Sequence, residues 1–328
     1  MPEPVNGPTS NGPASSGAGG GSSRAGRLRV GVIGAGKVGA VLGAALRSAE
    51  HQVSGVAAVS EASRERAENL LPGVPVLEPG EIVAGSDLVL LAVPDDVLGE
   101  LVSGLASLGA WRPGQLVAHT SGRFGVGVLD PVRAAGAIPL AIHPAMAFSG
   151  LSLDLGRLQD CVFGVSADPA MLPIAQALVI EMGGEPVVIP EEQRVLYHAA
   201  LAHGSNHLVT LASQAAQVLR EIGVADPERL LGPLLRASLD NALVSGESAL
   251  TGPVSRGDAG TVASHREALT GRDRLLRNAP GRGDDQPGAP GDDILDSYLS
   301  MARATLQRAV RQDRLRADQA TALGDVLG

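Results

Sequence analysis

The most constraining feature of this chain is a short apolar run that leads into three spaced glycines. Residues 30–39 read VGVIGAGKVG, which places Gly34, Gly36 and Gly39 in a G-x-G-x-x-G pattern. The first glycine permits a tight turn, the second lets a ligand approach the backbone, and the third lets a helix pack closely on a strand. This segment therefore predicts a strand, a phosphate-binding turn and a helix, in that order.

The turn predicts a site for the pyrophosphate of a dinucleotide cofactor. Free N–H groups and a partial positive charge at the start of the following helix favour phosphates. A purely structural turn, or a site that no longer binds its ligand, is the alternative. The residues expected to contact the cofactor here are Gly34, Ala35, Gly36, Lys37, Val38 and Gly39.

The end of the second predicted strand bears on the choice between NAD and NADP. An NAD site is expected to carry Asp or Glu there, to bind the ribose 2′-hydroxyl. Here the strand ends at Ser60, and Ser60, Ser63 and Arg64 could instead bind a 2′-phosphate, with Arg64 supplying charge. Glu61 and Glu65 are also present, although either could belong to a solvated helix start. We favour NADP, with NAD as the alternative.

Strand and helix patterns alternate over residues 28–190 and give way to helices alone after Pro190. Continuous apolar strands between amphipathic helices predict a mostly parallel, doubly wound sheet covered on both faces. We therefore predict an α/β Rossmann domain over residues 28–190 and an all-α domain over residues 191–328. The predicted strands are 28–33, 53–60, 88–93, 116–119, 137–142, 161–166 and 185–189, and the predicted helices are 37–48, 63–70, 97–108, 169–182, 191–222, 227–245, 258–269 and 292–327.

Two segments rich in Gly, Pro and Ser lack apolar periodicity. We expect residues 1–27 to be a disordered tail and residues 271–292 to be a disordered loop insertion between two helices. We expect neither segment to carry chemistry.

Charge and cysteine content restrict the possible partners. The net charge of −9, from 26 basic and 35 acidic residues, predicts no nucleic-acid partner. No apolar run reaches the roughly 18 residues of a membrane-spanning helix, so no membrane partner is expected. The single cysteine, Cys161, and the lack of an export signal favour the cytoplasm. Cys161 lies in an apolar run and is expected to be a core residue.

Candidate ligand contacts lie at the ends of three predicted strands, at the sheet edge that is expected to face ligands. Val93 and Pro94 should lie along the cofactor. Ser121 and Gly122 belong to a turn that could bind a carboxylate or a carbonyl, with an ordinary turn as an equal alternative. His143 follows another strand and is a candidate pocket residue.

A second candidate patch lies on the first long helix of the predicted helical domain. At about 100° per residue, Ser205 lies about 20° from His198 on the same face, and Asn206 adjoins it. A His/Ser/Asn patch on a stripe of small residues suits a polar pocket better than a packed core. His203 and His207 are expected to be surface or interface histidines.

A glycine-punctuated loop at residues 251–258 provides a candidate for anion recognition. Arg256 could bind a substrate carboxylate or the cofactor. The alternative is structural, with Asp258 capping the next helix.

Together, these residues resemble the bacterial Rossmann-like oxidoreductases whose C-terminal half is known only as a domain of unknown function. The resemblance covers residues 27–327 apart from 271–292. Besides the glycine loop, it rests on Val93-Pro94-Asp95, His143-Pro144, Tyr197-His198, Ser205-Asn206 and residues 250–258. More remotely, the chain resembles 6-phosphogluconate, 3-hydroxyisobutyrate and prephenate dehydrogenases, pyrroline-carboxylate reductase and ketopantoate reductase.

The resemblance implies a Rossmann domain, a helical domain that forms a homodimer, and an active site in the cleft. The hydroxyacid dehydrogenases and typical ketopantoate reductases use a lysine on the first long helix as general acid/base, but Lys37 is the only lysine here. His198 is the nearest substitute and His143 the second. Asn206 and Ser121 would then orient the substrate.

We therefore expect hydride transfer between NADPH and a small 2-oxo acid, with ketopantoate as the best guess and no metal. Ser121, Gly122, Ser205 and Arg256 are the expected substrate contacts. Prephenate-type oxidation or imine reduction is the alternative chemistry. An NADP(H)-sensing regulator without catalysis is the alternative of another class.

Overall fold

A computed structural model describes residues 26–277 and 293–328 of the chain. The chain divides into two compact units after Leu201. Residues 1–25 of the predicted tail and residues 278–292 of the predicted insertion lie outside the described residues.

The first unit is built on a seven-stranded sheet in the order β2-β1-β3-β4-β5-β6-β7. Strand β6 runs antiparallel to β5, and every other neighbouring pair is parallel. This arrangement confirms the predicted mostly parallel sheet. The strands are β1 (Arg29–Ile33), β2 (Gln52–Ala57), β3 (Leu88–Leu91), β4 (Leu116–His119), β5 (Ile138–Pro144), β6 (Val162–Ala167) and β7 (Glu185–Val188).

Helices cover both faces of this sheet. Val32 and Ile33 are adjacent in β1 but bury their side chains in separate apolar clusters, because successive strand residues point to opposite faces. The helices of this unit are α1 (Lys37–Ser48), α2 (Glu61–Leu70), α3 (Pro79–Gly85), α4 (Asp95–Ser107), α5 (Asp130–Ala134), α6 (Leu153–Arg157) and α7 (Leu172–Glu181). The sequence pattern missed α3, α5 and α6, which are too short to show helical periodicity.

Cys161 lies in one of these two clusters, as predicted. Its side chain is buried, and burial raises the pKa of the thiol to about 11. A thiol with this pKa is almost entirely protonated at neutral pH, so it is a poor nucleophile.

The strand order fixes where a ligand is expected to bind. From β1 the chain builds outward to β2 on one side, and from β3 it builds through β4 to the other side. Ligands of open α/β sheets bind outside the carboxyl ends of the strands at such a switch point. The carboxyl ends of β1 and β3 therefore frame the expected site.

The second unit is helical, as predicted for this part of the chain. Its first helix, α8 (Arg194–Glu221), begins in the first unit and continues into the second. Val254, Val262 and Leu323 form part of its buried apolar cluster. The remaining helices are α9 (Pro227–Ser245), α10 (Pro253–Arg256), α11 (Ala259–Arg277), α12 (Ile294–Arg311) and α13 (Ala317–Leu327).

Two sequence predictions for the second unit are wrong. The predicted helix 292–327 is two helices, because Asp313 takes a left-handed conformation (φ 52°). Backbone bonds from Asp313 to Val310 and from Arg314 to Ala309 then close the end of α12 as a Schellman motif. Residues 271–277, predicted as part of the loop insertion, continue α11.

The compact units divide further along the chain than the boundary predicted at Pro190. The first turn of α8 belongs to the first unit. Its Arg194 donates a hydrogen bond to Ser166 in β6, and its Tyr197 bonds His143 in β5. A helix start tied to two strands in this way folds with the sheet.

Candidate functional site

The glycine turn after β1 has the geometry that its sequence predicts. Gly34 has a φ of 102°, and the N–H groups of Gly34 and Ala35 donate to the Ala57 carbonyl at 3.1 and 3.0 Å. A Cβ on Gly34 would lie 2.5 Å from the Ala92 carbonyl oxygen, and one on Gly39 would lie 2.0 Å from the Gly34 oxygen. Only glycine fits these two positions.

Gly36 differs from the other two glycines of the turn. It is the N-cap of the 12-residue helix α1, and a Cβ built on it would meet no heavy atom within 4 Å. The first N–H groups of a helix, here those of Lys37 and Val38, have no partner within the helix. The space, the free donors and the helix dipole fit a dinucleotide pyrophosphate.

Val93 and Pro94 lie beside this turn. A Val93 methyl carbon is 3.2 Å from the Cβ position of Gly34, and Pro94 is the N-cap of α4. Val93 is half-buried, whereas Pro94 is exposed. They border the turn from the β3 side of the switch point, where the sequence placed them.

The serines predicted to contact a 2′-phosphate are engaged in starting α2. The Ser60 hydroxyl oxygen accepts the N–H of Ser63 at 3.2 Å, so Ser60 caps the helix. Ser63 is buried, and its hydroxyl donates to the Ser60 carbonyl at 2.7 Å. Arg64 is exposed, and its Nε donates to the Ala58 carbonyl just beyond β2. Of the three, Arg64 is the best placed for a phosphate.

A second arginine of α2, which the sequence interpretation missed, lies at the glycine turn. Arg66 Nη1 donates to the Ala35 carbonyl at 3.4 Å. A Cβ on Gly150 would come within 2.9 Å of Arg66 Cδ and 3.0 Å of Lys37 Cγ, so these side chains converge. No periodicity within α2 reveals this contact, because Ala35 and Gly150 are distant in sequence.

A second group of side chains collects where α8 starts. A Cβ on Gly122 would lie 2.5 Å from His198 Cδ2 and 2.9 Å from His143 Nε2, and one on Gly164 would lie 2.7 Å from the Tyr197 hydroxyl. Missing side chains at these two glycines therefore make room for the helix start. We call Arg194, Tyr197, His198, His119 and His143 the α8 cluster.

His143 and Tyr197 form a hydrogen-bonded pair within the α8 cluster. His143 Nδ1 lies 2.9 Å from the Tyr197 hydroxyl, and the His143 and His198 rings are 5.9 Å apart. Burial, with a contribution from the charge of Arg194, lowers the pKa of His143 to about 4. Burial raises the pKa of Tyr197. Both members of the pair are therefore neutral at neutral pH.

His119 and Ser121 shape the turn that follows β4. Burial lowers the pKa of His119 to about 4, so the ring is neutral. Its Nδ1 accepts the N–H of Ser121 at 3.2 Å, so Nε2 carries the proton that is donated to the Gly125 carbonyl at 2.8 Å. The buried Ser121 hydroxyl accepts the N–H of Phe124. Ser121 thus takes part in the turn, and its site role stays a prediction, whereas Gly122 lies against both candidate histidines.

Arg194 is the most unusual member of the α8 cluster. Its side chain is fully buried, and Nε donates to the Ser166 hydroxyl at 2.9 Å. Within residues 26–277 and 293–328, Nη1 and Nη2 have no hydrogen-bond partner. Arg194, Tyr197 and His198 share one helix face, being three and four residues apart. That spacing was a usable signal, but the sequence interpretation began its polar stripe at His198.

The other predicted substrate residues lie in the second unit. Ser205 and Asn206 are exposed on α8, and Arg256 is exposed at the end of α10. Asp258 accepts bonds from the backbone N–H and the hydroxyl of Thr261, which is the capping role given as the alternative for this loop. The site roles of Ser205, Asn206 and Arg256 stay predictions.

His203 and His207 also lie in the second unit. Both are exposed, and their Nδ1 atoms are 2.8 Å apart. In the described part of the chain, no group of three His, Cys, Asp or Glu side chains is arranged to hold a metal ion. The same residues include no helix with the length and hydropathy to cross a membrane.

Comparison with known families assigns both parts of the chain. Residues 10–144 match the Rossmann-like domain, and residues 161–279 match DUF2520, a domain of unknown function. The chain is a Rossmann-like protein with a C-terminal DUF2520 domain. The glycine turn, His119 and His143 fall in the Rossmann-like part, whereas Arg194, Tyr197 and His198 fall in the DUF2520 part. The α8 cluster is therefore assembled from both.

Solved structures share this fold at low sequence identity. A Bacteroides fragilis protein, provisionally named an NADP oxidoreductase, is 18% identical with a TM-score of 0.64, over 85% of this chain and 98% of that chain. A Pseudomonas imine reductase is 20% identical with a TM-score of 0.58, over 92% and 100%. A Plasmodium falciparum pyrroline carboxylate reductase with NADP bound is 11% identical with a TM-score of 0.52, over 90% and 98%. No curated protein matches the sequence.

Proposed function

We propose that this Rossmann-like DUF2520 protein is an NADP-dependent oxidoreductase that reduces a small carbonyl or imine compound. The observation that carries the proposal is the position of two features at the carboxyl ends of strands of one sheet. One is the open phosphate-binding turn at Gly36, and the other is the α8 cluster with its histidines and tyrosine. Cofactor and proton-transfer groups on the same sheet edge suit hydride transfer coupled to proton transfer.

Charges around the end of β2 favour NADP over NAD. The segment that follows β2 begins Ala58-Val59-Ser60, without the acidic residue of an NAD site. Arg64 is bonded to the Ala58 carbonyl, and Arg66 reaches the glycine turn. Arg64, next to the end of β2, suits the 2′-phosphate of NADP. One of the proteins with this fold, the pyrroline carboxylate reductase, has NADP bound.

In the proposed reaction, the protein supplies the proton. A bound NADPH would supply the hydride. His198 is only half-buried, so it can donate a proton to the reduced group and recover it from solvent. His143 is held neutral, and protonating it at pH 7 costs about 4 kcal/mol, so we assign it an orienting role beside Tyr197. Ser121 and Asn206 remain predicted orienting residues.

Two classes of substrate, 2-oxo acids and imines, are compatible with the proposed reaction. A small 2-oxo acid such as ketopantoate is the substrate that the sequence resemblance implies. An imine is the second candidate, and the absence of lysine from α8 favours it, since a protonated imine needs no strong general acid. Two of the proteins with the same fold, the imine reductase and the pyrroline carboxylate reductase, have names that refer to such compounds.

We also propose that the chain forms a homodimer through the helices of its second unit. A groove of about 530 Å³ between α8 and α9 is lined by apolar residues that include Leu208, Leu231 and Leu239. Leu243 and Val244, at the end of α9, are 77% and 86% exposed. An apolar surface of this kind on a helical unit is typical of an interface. Sedimentation equilibrium should give twice the chain mass, and a charged Leu239→Glu variant should shift it to the monomer.

Turnover of NADPH tests the enzymatic proposal. Absorbance at the nicotinamide band should fall steadily with at least one compound in a panel of ketopantoate, other 2-oxo acids and cyclic imines. Prephenate with NADP⁺ tests the oxidative alternative. Tight NADPH binding without turnover of any of these would favour the cofactor-sensing regulator. No NADPH binding at all would contradict both.

A further inference from the structure

The start of α8 buries a positive charge that is only partly paired. Arg194 is fully buried, and Nε alone has a partner, the Ser166 hydroxyl at 2.9 Å. Ser166 in turn donates to the Ile189 carbonyl at 2.6 Å, which fixes its orientation. Nη1 and Nη2 are buried without a hydrogen-bond partner among the residues that the structure describes. Nε is thus anchored, while the outer edge of the guanidinium is free.

Among residues 26–277 and 293–328, no carboxylate pairs with this edge. The charge of Glu191 acts on Arg194, but the Glu191 carboxylate accepts the N–H groups of Val126 and Gly127 at 2.7 and 3.0 Å. The Glu191 carboxylate is therefore bonded to the loop after β4 and not to the Arg194 guanidinium. A buried charge without a partner is strongly unfavourable, so its presence needs a reason.

A structural arginine in the same unit behaves differently. Arg47 extends both Nη1 and Nη2 to backbone carbonyls, those of Pro72 and Leu70, at 3.3 and 2.9 Å. It links the end of α1 to the end of α2 and the segment after it, and both terminal nitrogens donate a hydrogen bond. Arg194 is as buried as a structural residue would be, but its Nη1 and Nη2 do not make such bonds. Among the described residues, its Nη1 and Nη2 are bonded neither to the backbone nor to a side chain.

The surroundings of Arg194 place the missing partner beside the proposed proton-transfer groups. The Arg194 guanidinium carbon lies 6.0 Å from the centre of the Tyr197 ring, and the Tyr197 hydroxyl is 2.9 Å from His143 Nδ1. Arg194 is also close enough for its charge to act on both His119 and His143. A ligand on Nη1 and Nη2 would therefore lie within the α8 cluster.

We propose that Arg194 binds the carboxylate of the substrate through Nη1 and Nη2. Two parallel N–H groups of a guanidinium match the two oxygens of a carboxylate. This assignment rests on the proposed function and sharpens it, because it selects small 2-oxo or 2-imino acids over neutral ketones and imines. Arg194 then takes the carboxylate-binding role that the sequence suggested for the exposed Arg256.

Oxalate, a small mimic of a 2-oxo acid, tests this site without requiring turnover. Calorimetry and thermal unfolding would be measured at constant ionic strength on the full chain saturated with NADP⁺. The proteins compared are the wild type, Arg194→Met, Arg194→Lys and the surface control Arg274→Gln. We expect oxalate to raise the Tm of the wild type and the control. Arg194→Met should bind it at least 10-fold more weakly and Arg194→Lys to an intermediate degree, because an ammonium cannot make the paired contact.

The Tm without oxalate separates a binding role from a structural role. If the charge is kept for a ligand, Arg194→Met should unfold at the same temperature as the wild type or higher, since the unpaired buried charge is gone. A clearly lower Tm together with unchanged oxalate binding would show that Arg194 is structural and would overturn the proposal. Should the methionine variant not fold, Arg194→Lys decides, and oxalate binding equal to that of the wild type would overturn it.

Two further measurements distinguish a substrate carboxylate from a cofactor phosphate as the ligand of Arg194. They also distinguish a failure of the carboxylate site from a failure of the proposed reductase activity. Fluorescence titration with NADPH should give the same affinity for the wild type and Arg194→Met. A loss of NADPH affinity with oxalate binding intact would assign Arg194 to a cofactor phosphate and overturn the substrate role. Oxalate binding that depends on Arg194, in a protein that never oxidises NADPH, would support the carboxylate site and contradict the reductase.

Discussion

The glycine turn and the α8 cluster lie at the carboxyl ends of strands of the same sheet, but they are built in different ways. The turn consists of consecutive residues from Gly34 to Gly39, and it works through backbone N–H groups and absent side chains. The cluster brings together side chains from β4, β5 and α8, several of them ionisable and buried. Cofactor binding is thus encoded locally, whereas the proposed chemistry depends on long-range packing.

The two regions also differ in what they contribute to stability. The turn is open at Gly36, where a Cβ would meet no heavy atom within 4 Å, and it works through backbone groups without burying a charge. The α8 cluster contains the buried His119 and Arg194 and the half-buried His143, whose charged forms are disfavoured there. Substitution of Gly36 should therefore affect binding alone, whereas substitutions in the cluster should also change stability or its pH dependence.

The largest expected effect comes from filling the open space in the turn. Gly36→Val places a branched side chain where the pyrophosphate would lie, so NADPH affinity should fall by at least about 100-fold with the fold intact. Fluorescence titration with NADPH measures the affinity, and circular dichroism and Tm report the fold. Gly104→Val is a matched control, because Gly104 is exposed in α4 and a Cβ there meets no heavy atom within 4 Å. A folded Gly36→Val protein with normal NADPH affinity would contradict the assignment of the turn.

The next effect tests the proton donor within the α8 cluster. His198→Ala should lower kcat by about 100-fold while NADPH affinity stays unchanged, as expected for loss of general acid catalysis. His143→Ala should lower kcat less and should raise KM, since His143 is neutral and bonded to Tyr197. Steady-state kinetics of both variants, with a titration of NADPH fluorescence, measure kcat, KM and cofactor affinity.

The opposite result would move the assignment to the other histidine. If His143→Ala loses turnover and His198→Ala keeps it, His143 is the donor despite its low pKa. Normal turnover in both variants would leave water or Ser121 as the proton source and contradict the mechanism.

The same contrast explains how much of the molecule could be predicted from sequence. The strands of the sheet and the roles of Gly34, Gly36 and Gly39 follow from periodicity and spacing within short windows. The end of α12 at Asp313 could not be predicted, since neither glycine nor proline marks it. Arg194 could have been noticed from its spacing to Tyr197 and His198, but its burial depends on β6, which is distant in sequence.

The functions of the serines show a further limit. Ser60 and Ser63 were assigned to the cofactor from position alone, yet their hydroxyls bond each other and the start of α2. Ser121 is similarly engaged by Phe124. A hydroxyl can serve a turn and a ligand, so sequence position does not establish its role, and the site roles of these serines stay predictions.

A smaller effect is expected in the pH dependence of stability. His119 and His143 have pKa values lowered to about 4 in the folded state, so the unfolded state binds more protons below about pH 6.5. Their contribution is favourable above pH 6.5 and is lost as the pH falls towards 4. Each histidine should therefore reduce the free energy of unfolding by about 2 kcal/mol between pH 7 and pH 5. Urea denaturation at the two pH values measures this.

A histidine variant assigns the pH dependence to the cluster. His119→Gln cannot titrate in this range, so it should remove about half of the loss attributed to the two histidines. His203→Gln, at an exposed position in the second unit, should keep the full loss. An unchanged pH dependence in His119→Gln would show that the loss arises elsewhere in the chain.

The smallest effect separates the two arginines that flank the glycine turn. Arg64 is bonded at Ala58, just beyond β2, where a 2′-phosphate is expected, so Arg64→Ala should lower the preference for NADPH over NADH by about 10-fold. Arg66 contacts the turn itself at Ala35, so Arg66→Ala should weaken NADPH and NADH to a similar degree and leave the preference unchanged. Fluorescence titration of each variant with both cofactors provides the two ratios, with Arg274→Ala as a surface control. If Arg66→Ala changes the preference and Arg64→Ala does not, then Arg66 is the 2′-phosphate ligand, and the local spacing that selected Arg64 would have been misleading.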